Sequence, residues 1–274
     1  MHRLLRRFSL DSNPGWVFIL PSLVLIGLLG LPLLALVWRA IGRDFLGDIL
    51  SPTALSALRL SLLTSTASVL IAVATGTPLA YILARWNFKG KTAFELLIDL
   101  PVVLPPSVAG LALLIAFGRQ GVFGAWLSAI GITLPFTTAA VVVAQTFVSA
   151  PLFVRSARVG FAGIDRQLEE AATVEGANEF QVFRFIMAPL AGRALLTGLV
   201  MTWTRALGEF GATVMFAGNL EGKTQTMPLA IYLGFERGLG VAVALSVMLV
   251  VVSIVLLGVM RRLERRTEVV THSI

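Results

Sequence analysis

Six apolar runs, each long enough to cross a lipid bilayer as a helix, constrain this chain more than any other feature. They lie at about 16–38, 55–84, 93–117, 136–159, 194–217 and 239–260. A bilayer core about 30 Å thick takes roughly 20 residues to cross as a helix. In lipid the backbone must satisfy its own polar groups, which a helix does within one segment. Apolar residues make up 57% of the chain and charged residues 14%, with a mean hydropathy of +0.87, more apolar surface than a soluble fold of this length can hide. The expectation is an all-α integral membrane protein of six transmembrane helices. Its single membrane domain covers 16–260, between an N-terminal tail 1–15 and a C-terminal tail 261–274.

The net charge of +7 suggests nucleic acid at first sight, but no basic patch is interleaved with aromatics, and most cations flank the apolar runs. Arg3, Arg6 and Arg7, then Arg85, Lys89 and Lys91, then Arg155, Arg158, Arg166, Arg184 and Arg193, then Arg261, Arg262, Arg265 and Arg266 fall on one side. The alternate loops hold Arg39, Arg43, Arg119, Lys223 and Arg237, with Arg59 at a span edge. The positive-inside rule therefore predicts both termini in the cytoplasm. The arginines before Trp16 resemble the start of a secretory signal. The run from Trp16 to Trp38 is too long for a signal core, however, and no small-residue cleavage site follows cleanly, so it reads as a retained span.

Cysteine is absent and the histidines are His2 and His272, at the chain ends. This excludes a Cys/His metal site or a cysteine nucleophile, and no cofactor is expected. The lysines Lys89, Lys91 and Lys223 all lie in loops, so a Ser–Lys dyad within the spans is hard to build. Ala217-Gly218-Asn219-Leu220-Glu221-Gly222-Lys223-Thr224 nearly spells a phosphate-binding loop, but alanine holds the first glycine position and no strand is predicted before it. The chain carries no catalytic motif, and nucleotide hydrolysis, if coupled to it, belongs to another polypeptide.

The longest polar stretch, 160–193, reads GFAGIDRQLEEAATVEGANEFQVFRFIMAPLAGR on the predicted cytoplasmic side. Asp165 is placed to cap a short helix carrying Leu168, Ala171 and Ala172, and Gly176 to end it with positive φ. Asn178 is placed to cap a second helix with Phe180, Phe183, Ile186 and Met187 at amphipathic spacing, stopped by Pro189. The spacing of Glu170-Ala171-Ala172, Gly176, Ile186 and Pro189 resembles the E-A-A-x3-G-x9-I-x-L-P loop of importer permeases of ATP-binding cassette systems, with Ala188 in place of the usual leucine. The resemblance implies a type I importer permease fold with a cytoplasmic coupling helix, docked on an ATPase subunit through Glu170, Ala171, Ala172, Gly176, Ile186 and Pro189.

Asp99–Gly124 (DLPVVLPPSVAGLALLIAFGRQGVFG) and Thr204–Tyr232 (TRALGEFGATVMFAGNLEGKTQTMPLAIY) are similar to the molybdate permeases, and less closely to their sulfate relatives. This resemblance covers roughly 55–260 and implies a homodimer of permeases, two cytoplasmic ABC ATPase subunits and an external oxyanion-binding protein. The predicted function is uptake of molybdate or tungstate by alternating access, with a sulfate or thiosulfate importer or an ATP-independent secondary transporter as alternatives. Each anionic charge carried against an inside-negative potential costs about 2.3 kcal/mol per 100 mV, which suits an energised importer.

Arg205 and Glu209 are expected at i, i+4 in the fifth span. They form either a structural pair or, with Thr202, part of the anion path. Asp99 is expected at an interface or as a cap, the prolines Pro101, Pro105 and Pro106 at a kink, and the pairs Gly208/Ala212 and Gly234/Gly238 at close helix contacts.

Overall fold

The computed structural model describes residues 16–41 and 45–271. The N-terminal tail 1–15, Arg43, His2 and His272 lie outside the described residues. Among those described, every regular element is helical. The chain begins with α1 (Trp16–Ala40), the short α2 (Phe45–Ile49) and α3 (Pro52–Arg85), followed by α4 (Lys91–Val103), α5 (Pro106–Phe117), α6 (Gly124–Ala129) and α7 (Thr138–Ala162). Then come α8 (Arg166–Val174), α9 (Glu179–Val182), a π turn over Phe183–Met187, and α10 (Ala188–Leu190). The bundle closes with α11 (Gly192–Leu207), α12 (Gly211–Ala217), α13 (Met227–Arg237) and α14 (Leu239–Thr271).

Four helices are long and apolar enough to cross a membrane. Two bent pairs, α4 with α5 (116°) and Glu179–Leu190 with α11 (72°), bring the number to as many as six. Helix starts follow local chemistry. The Ser51 hydroxyl accepts the Ala54 N–H ahead of Pro52, and the Thr137 hydroxyl accepts the Ala140 N–H at the start of α7. At 34 residues, α3 is about 50 Å long at 1.5 Å per residue, longer than a bilayer core, so one end projects beyond it.

The centre of the bundle is α3 against α7, with α11 packed on both. Ala54, Ala57, Ala72, Ala80, Ala140, Ala144 and Ala157 are fully buried and let the backbones approach. Hydroxyls then join the helices. Ser68 donates to the Val142 carbonyl at 3.1 Å, the Trp203 indole donates to the Ser65 hydroxyl at 3.0 Å, and the Met227 N–H donates to the Ser61 hydroxyl at 2.7 Å. Lipid supplies no hydrophobic drive between helices, so small residues and such bonds hold the bundle together. By contrast, α1 packs along α14 and turns Leu23, Ile26, Leu29 and Leu33 outward.

The structure departs from the expected segments where the chain breaks. The run 93–117 is two helices parted at Leu104 and Pro105. Proline removes a backbone donor and pushes its predecessor out of helical conformation. The run 194–217 is α11 and α12, parted at Gly208–Phe210. The expected C-terminal tail continues the last helix to Thr271. Gly208 and Ala212 therefore sit in different segments. Gly234 does approach Ala242, whose Cβ would lie 2.7 Å from an added methyl, whereas Gly238 meets nothing within 4 Å.

Candidate functional site

The segment 160–193 folds as a helix pair at one end of the bundle. The Asp165 carboxylate accepts the Gln167 N–H at 3.0 Å and starts α8. Gly176 follows the helix at φ +90, a left-handed value that costs an L side chain roughly 1–2 kcal/mol. Asn178 and Gln181 then exchange side-chain and backbone bonds at 2.9 and 2.8 Å, closing a capping box. The inward side of the pair is Ala172, Ala177, Val182, Phe183 and Met187, packed on Phe161, Phe153 and Leu83.

The outward side presents Glu170, Ala171, Gly176 and Pro189; Ile186 is half-buried, and Ala172 belongs to the inward side. Around them stand exposed Leu168, Val174, Phe180 and Phe185, Val174 at 87% and Phe180 at 66%. Phe180 thus lies opposite to its expected face. Met187 is buried and Phe183 half-buried, as amphipathic spacing requires, and Val182 takes the inward place at the start of the helix. An exposed apolar face rimmed by charge marks an interaction surface, toward protein or membrane.

Sequence reasoning counted Arg85 only as a topology marker, yet it holds this pair to α3. Its guanidinium meets the Glu169 carboxylate at 2.7 Å and donates to the Ile164 carbonyl at 2.9 Å. No spacing rule links Arg85 to Glu169, and their only common signal is opposite charge on the same predicted side.

Within the bundle, Arg205 Nη1 lies 2.5 Å from Glu209 Oε2. The Glu209 side chain is 1% exposed and that of Arg205 34%. Glu209 stands beyond the end of α11, not on it, and its second oxygen accepts the Ala212 N–H at 2.8 Å at the start of α12. Thr202 is fully buried and its hydroxyl lacks a hydrogen-bond partner, as does that of Thr213. The two helix breaks abut: a methyl on Gly211 would lie 2.6 Å from Pro106 Cβ and 3.2 Å from the Ser107 nitrogen. Asp99 is not a cap; it pairs with Arg155 at 2.6 Å, one turn from Glu95 with Arg158 at 2.5 Å, tying α4 to α7. The near-match to a phosphate loop comes after the helix α12, and its Thr224 hydroxyl is spent on the Leu220 N–H at 2.9 Å.

The fold is a helical membrane bundle in which two interrupted apolar runs meet, with a helix pair exposed at one end. A bacterial ABC transporter that imports the acidic polysaccharide alginate shares this fold, with a TM-score of 0.76 over 92% of this chain and 94% of that one at 18% identity. The MetNI methionine ABC transporter, in inward-facing form, gives 0.58 over 78% and 94% at 18% identity. Residues 76–269 match the family of binding-protein-dependent transport system inner membrane components, and the chain belongs to it as the permease subunit of an ABC importer. It is 43% identical to the molybdenum transport system permease protein ModB of Mycobacterium tuberculosis over 90% of this chain and 93% of the relative. Escherichia coli K12 ModB is 37% identical over 76% and 94%, and the probable sulfate transport system permease protein cysT of Chlorokybus atmophyticus is 37% identical over 86% and 84%.

Proposed function

We propose that this chain admits molybdate or tungstate to the cytoplasm, with hydrolysis of ATP carried out by separate ATPase subunits and delivery by an external binding protein. The observation that carries the substrate is the 43% identity to a molybdenum permease along nearly the whole of both chains. Both termini face the cytoplasm in this reading, which places the helix pair of 160–193 on the side of the ATPase. Glu170, Ala171, Ala172, Gly176, Ile186 and Pro189, with the apolar rim of Val174 and Phe180, form the docking face. A second copy of the chain completes the anion path.

Arg205 is the path residue, because one third of its side chain is exposed beside the junction of the two broken spans. Glu209 is its counter-charge, buried so that no bare carboxylate repels an oxyanion. Thr202 lies one turn behind Arg205, with a hydroxyl to spare. Sulfate is the second reading, favoured by the relative named as a sulfate permease.

The test is ATP hydrolysis by the reconstituted importer with binding protein loaded with molybdate, tungstate or sulfate. Stimulation by the first two is expected. Stimulation by sulfate alone selects the second reading, and none from any of them, in an intact complex, removes the oxyanion assignment.

A further inference from the structure

The docking helices are joined by the chain itself to only two of the long helices. α7 leads into α8, and α10 leads into α11. The other central helix, α3, has no covalent link to them, so any motion it shares with them passes through side chains. Arg85, the last residue of α3, supplies the charged contact. Its side chain is 7% exposed, meets Glu169 of α8 at 2.7 Å, and donates to the Ile164 carbonyl just ahead of α8. The contact is returned from the other side, where the Arg166 guanidinium donates to the Arg85 carbonyl at 3.1 Å. One turn back, the Tyr81 hydroxyl donates to the other Glu169 oxygen at 3.4 Å. The Tyr81 ring stands edge-on to Phe161 of α7 and Phe183 of the π turn, at 5.5 and 5.4 Å. Glu169 is thus held from α3 by two groups while its neighbour Glu170 faces outward on the docking surface.

We propose that Arg85 and Glu169 are positioning residues that lock α3 to the docking helices, so that displacement of α8 by an ATPase carries α3 along with α7. The proposal rests on the reading of 160–193 as the ATPase-docking face. An ion pair whose arginine is 7% exposed and whose glutamate is 20% exposed, steadied by further hydrogen bonds, has a narrow range of geometries, which is what a rigid link requires. An apolar contact alone would let α8 slide along the end of α3. The small residues between α3 and α7 then make the two helices move as one body.

The experiment compares anion moved per ATP hydrolysed in the complete reconstituted importer. Glu169→Arg and Arg85→Glu are each expected to lower that ratio by about tenfold, within the usual range of coupling between sites, while ATPase subunits still co-purify and ATP is still hydrolysed. Exchanging the two charges in one chain is expected to recover most of the ratio; a pair needed only for folding would change the amount of assembled importer and leave the ratio per ATP as it was. If a single reversal fails to insert, Glu169→Gln is read instead: a lowered ratio supports the lock and an unchanged one overturns it. Normal ratios in the reversed variants, with a Gly176→Leu chain uncoupled, overturn the lock and leave the docking face standing. Normal ratios in all three remove both.

Discussion

The Glu209 carboxylate stands 2.5 Å from the Arg205 guanidinium and also accepts the Ala212 N–H at 2.8 Å, so one buried side chain pairs with a residue of α11 and caps the start of α12. A break inside a membrane frees backbone groups that lipid cannot satisfy. Glu209 satisfies one of them and holds its charge against Arg205. Removing it leaves a donor without an acceptor and a cation without its partner.

Glu209→Ala is therefore expected to cost about 2–3 kcal/mol, the scale of a hydrogen bond to a charged group. Glu209→Gln keeps an acceptor for Ala212 and should lose less. Thermal unfolding of the detergent-solubilised protein orders the two variants, and equal losses would remove the capping role.

Arg205→Met should depress anion uptake well beyond any fall in the amount of assembled importer, with Arg205→Lys intermediate because it keeps the charge without the planar fork. Uptake measured per assembled complex decides. An unchanged value takes Arg205 off the path.

Gly211→Ala places a methyl 2.6 Å from Pro106 Cβ, where the two broken spans touch. Overpacking of this kind costs about 1–3 kcal/mol and should part the breaks. Gly208→Ala, with its nearest neighbour 3.7 Å away, is the control and should melt close to the parent.

Gly176→Leu forces a side chain into φ +90 between α8 and α9, at a cost of roughly 1–2 kcal/mol. Membrane insertion should survive, because the turn lies outside the bundle, while stimulated ATP hydrolysis should be lost. Normal stimulation would clear the turn of any part in coupling.

Asp99→Asn tests a contrast. Asp99 and Arg155 are 32% and 51% exposed, and pairs so open to their surroundings contribute at most about 1 kcal/mol. Unfolding temperature should hardly move, and a loss as large as that of Glu209→Ala would mean that α4 depends on this contact for its seat on α7.

How much was legible depended on how local each feature is. Asp165, Gly176 and Asn178 act within a few residues of themselves, and their roles follow from side-chain chemistry alone. The kink at Pro105 was legible for the same reason, since a proline disturbs its own helix whatever surrounds it. Phe180 was misplaced because the packed side of a helix this short is chosen by its neighbours: Val182 meets the core and leaves Phe180 exposed. Glu209 was placed on a helix because nothing in Arg205-Ala206-Leu207-Gly208-Glu209 marks a break as strongly as proline does.

The sequence by itself determined that this is a multi-spanning helical membrane protein with a capped helix pair between its fourth and fifth apolar runs. Span length and cap chemistry are written in consecutive residues, and lipid leaves a backbone few other ways to satisfy its polar groups. Only the tertiary structure decided that the two broken spans meet at Pro106 and Gly211, that Glu209 is buried between them, and that Arg85 reaches Glu169. Those contacts join residues far apart in the chain, and each holds only because the surrounding helices exclude water and supply the missing partner.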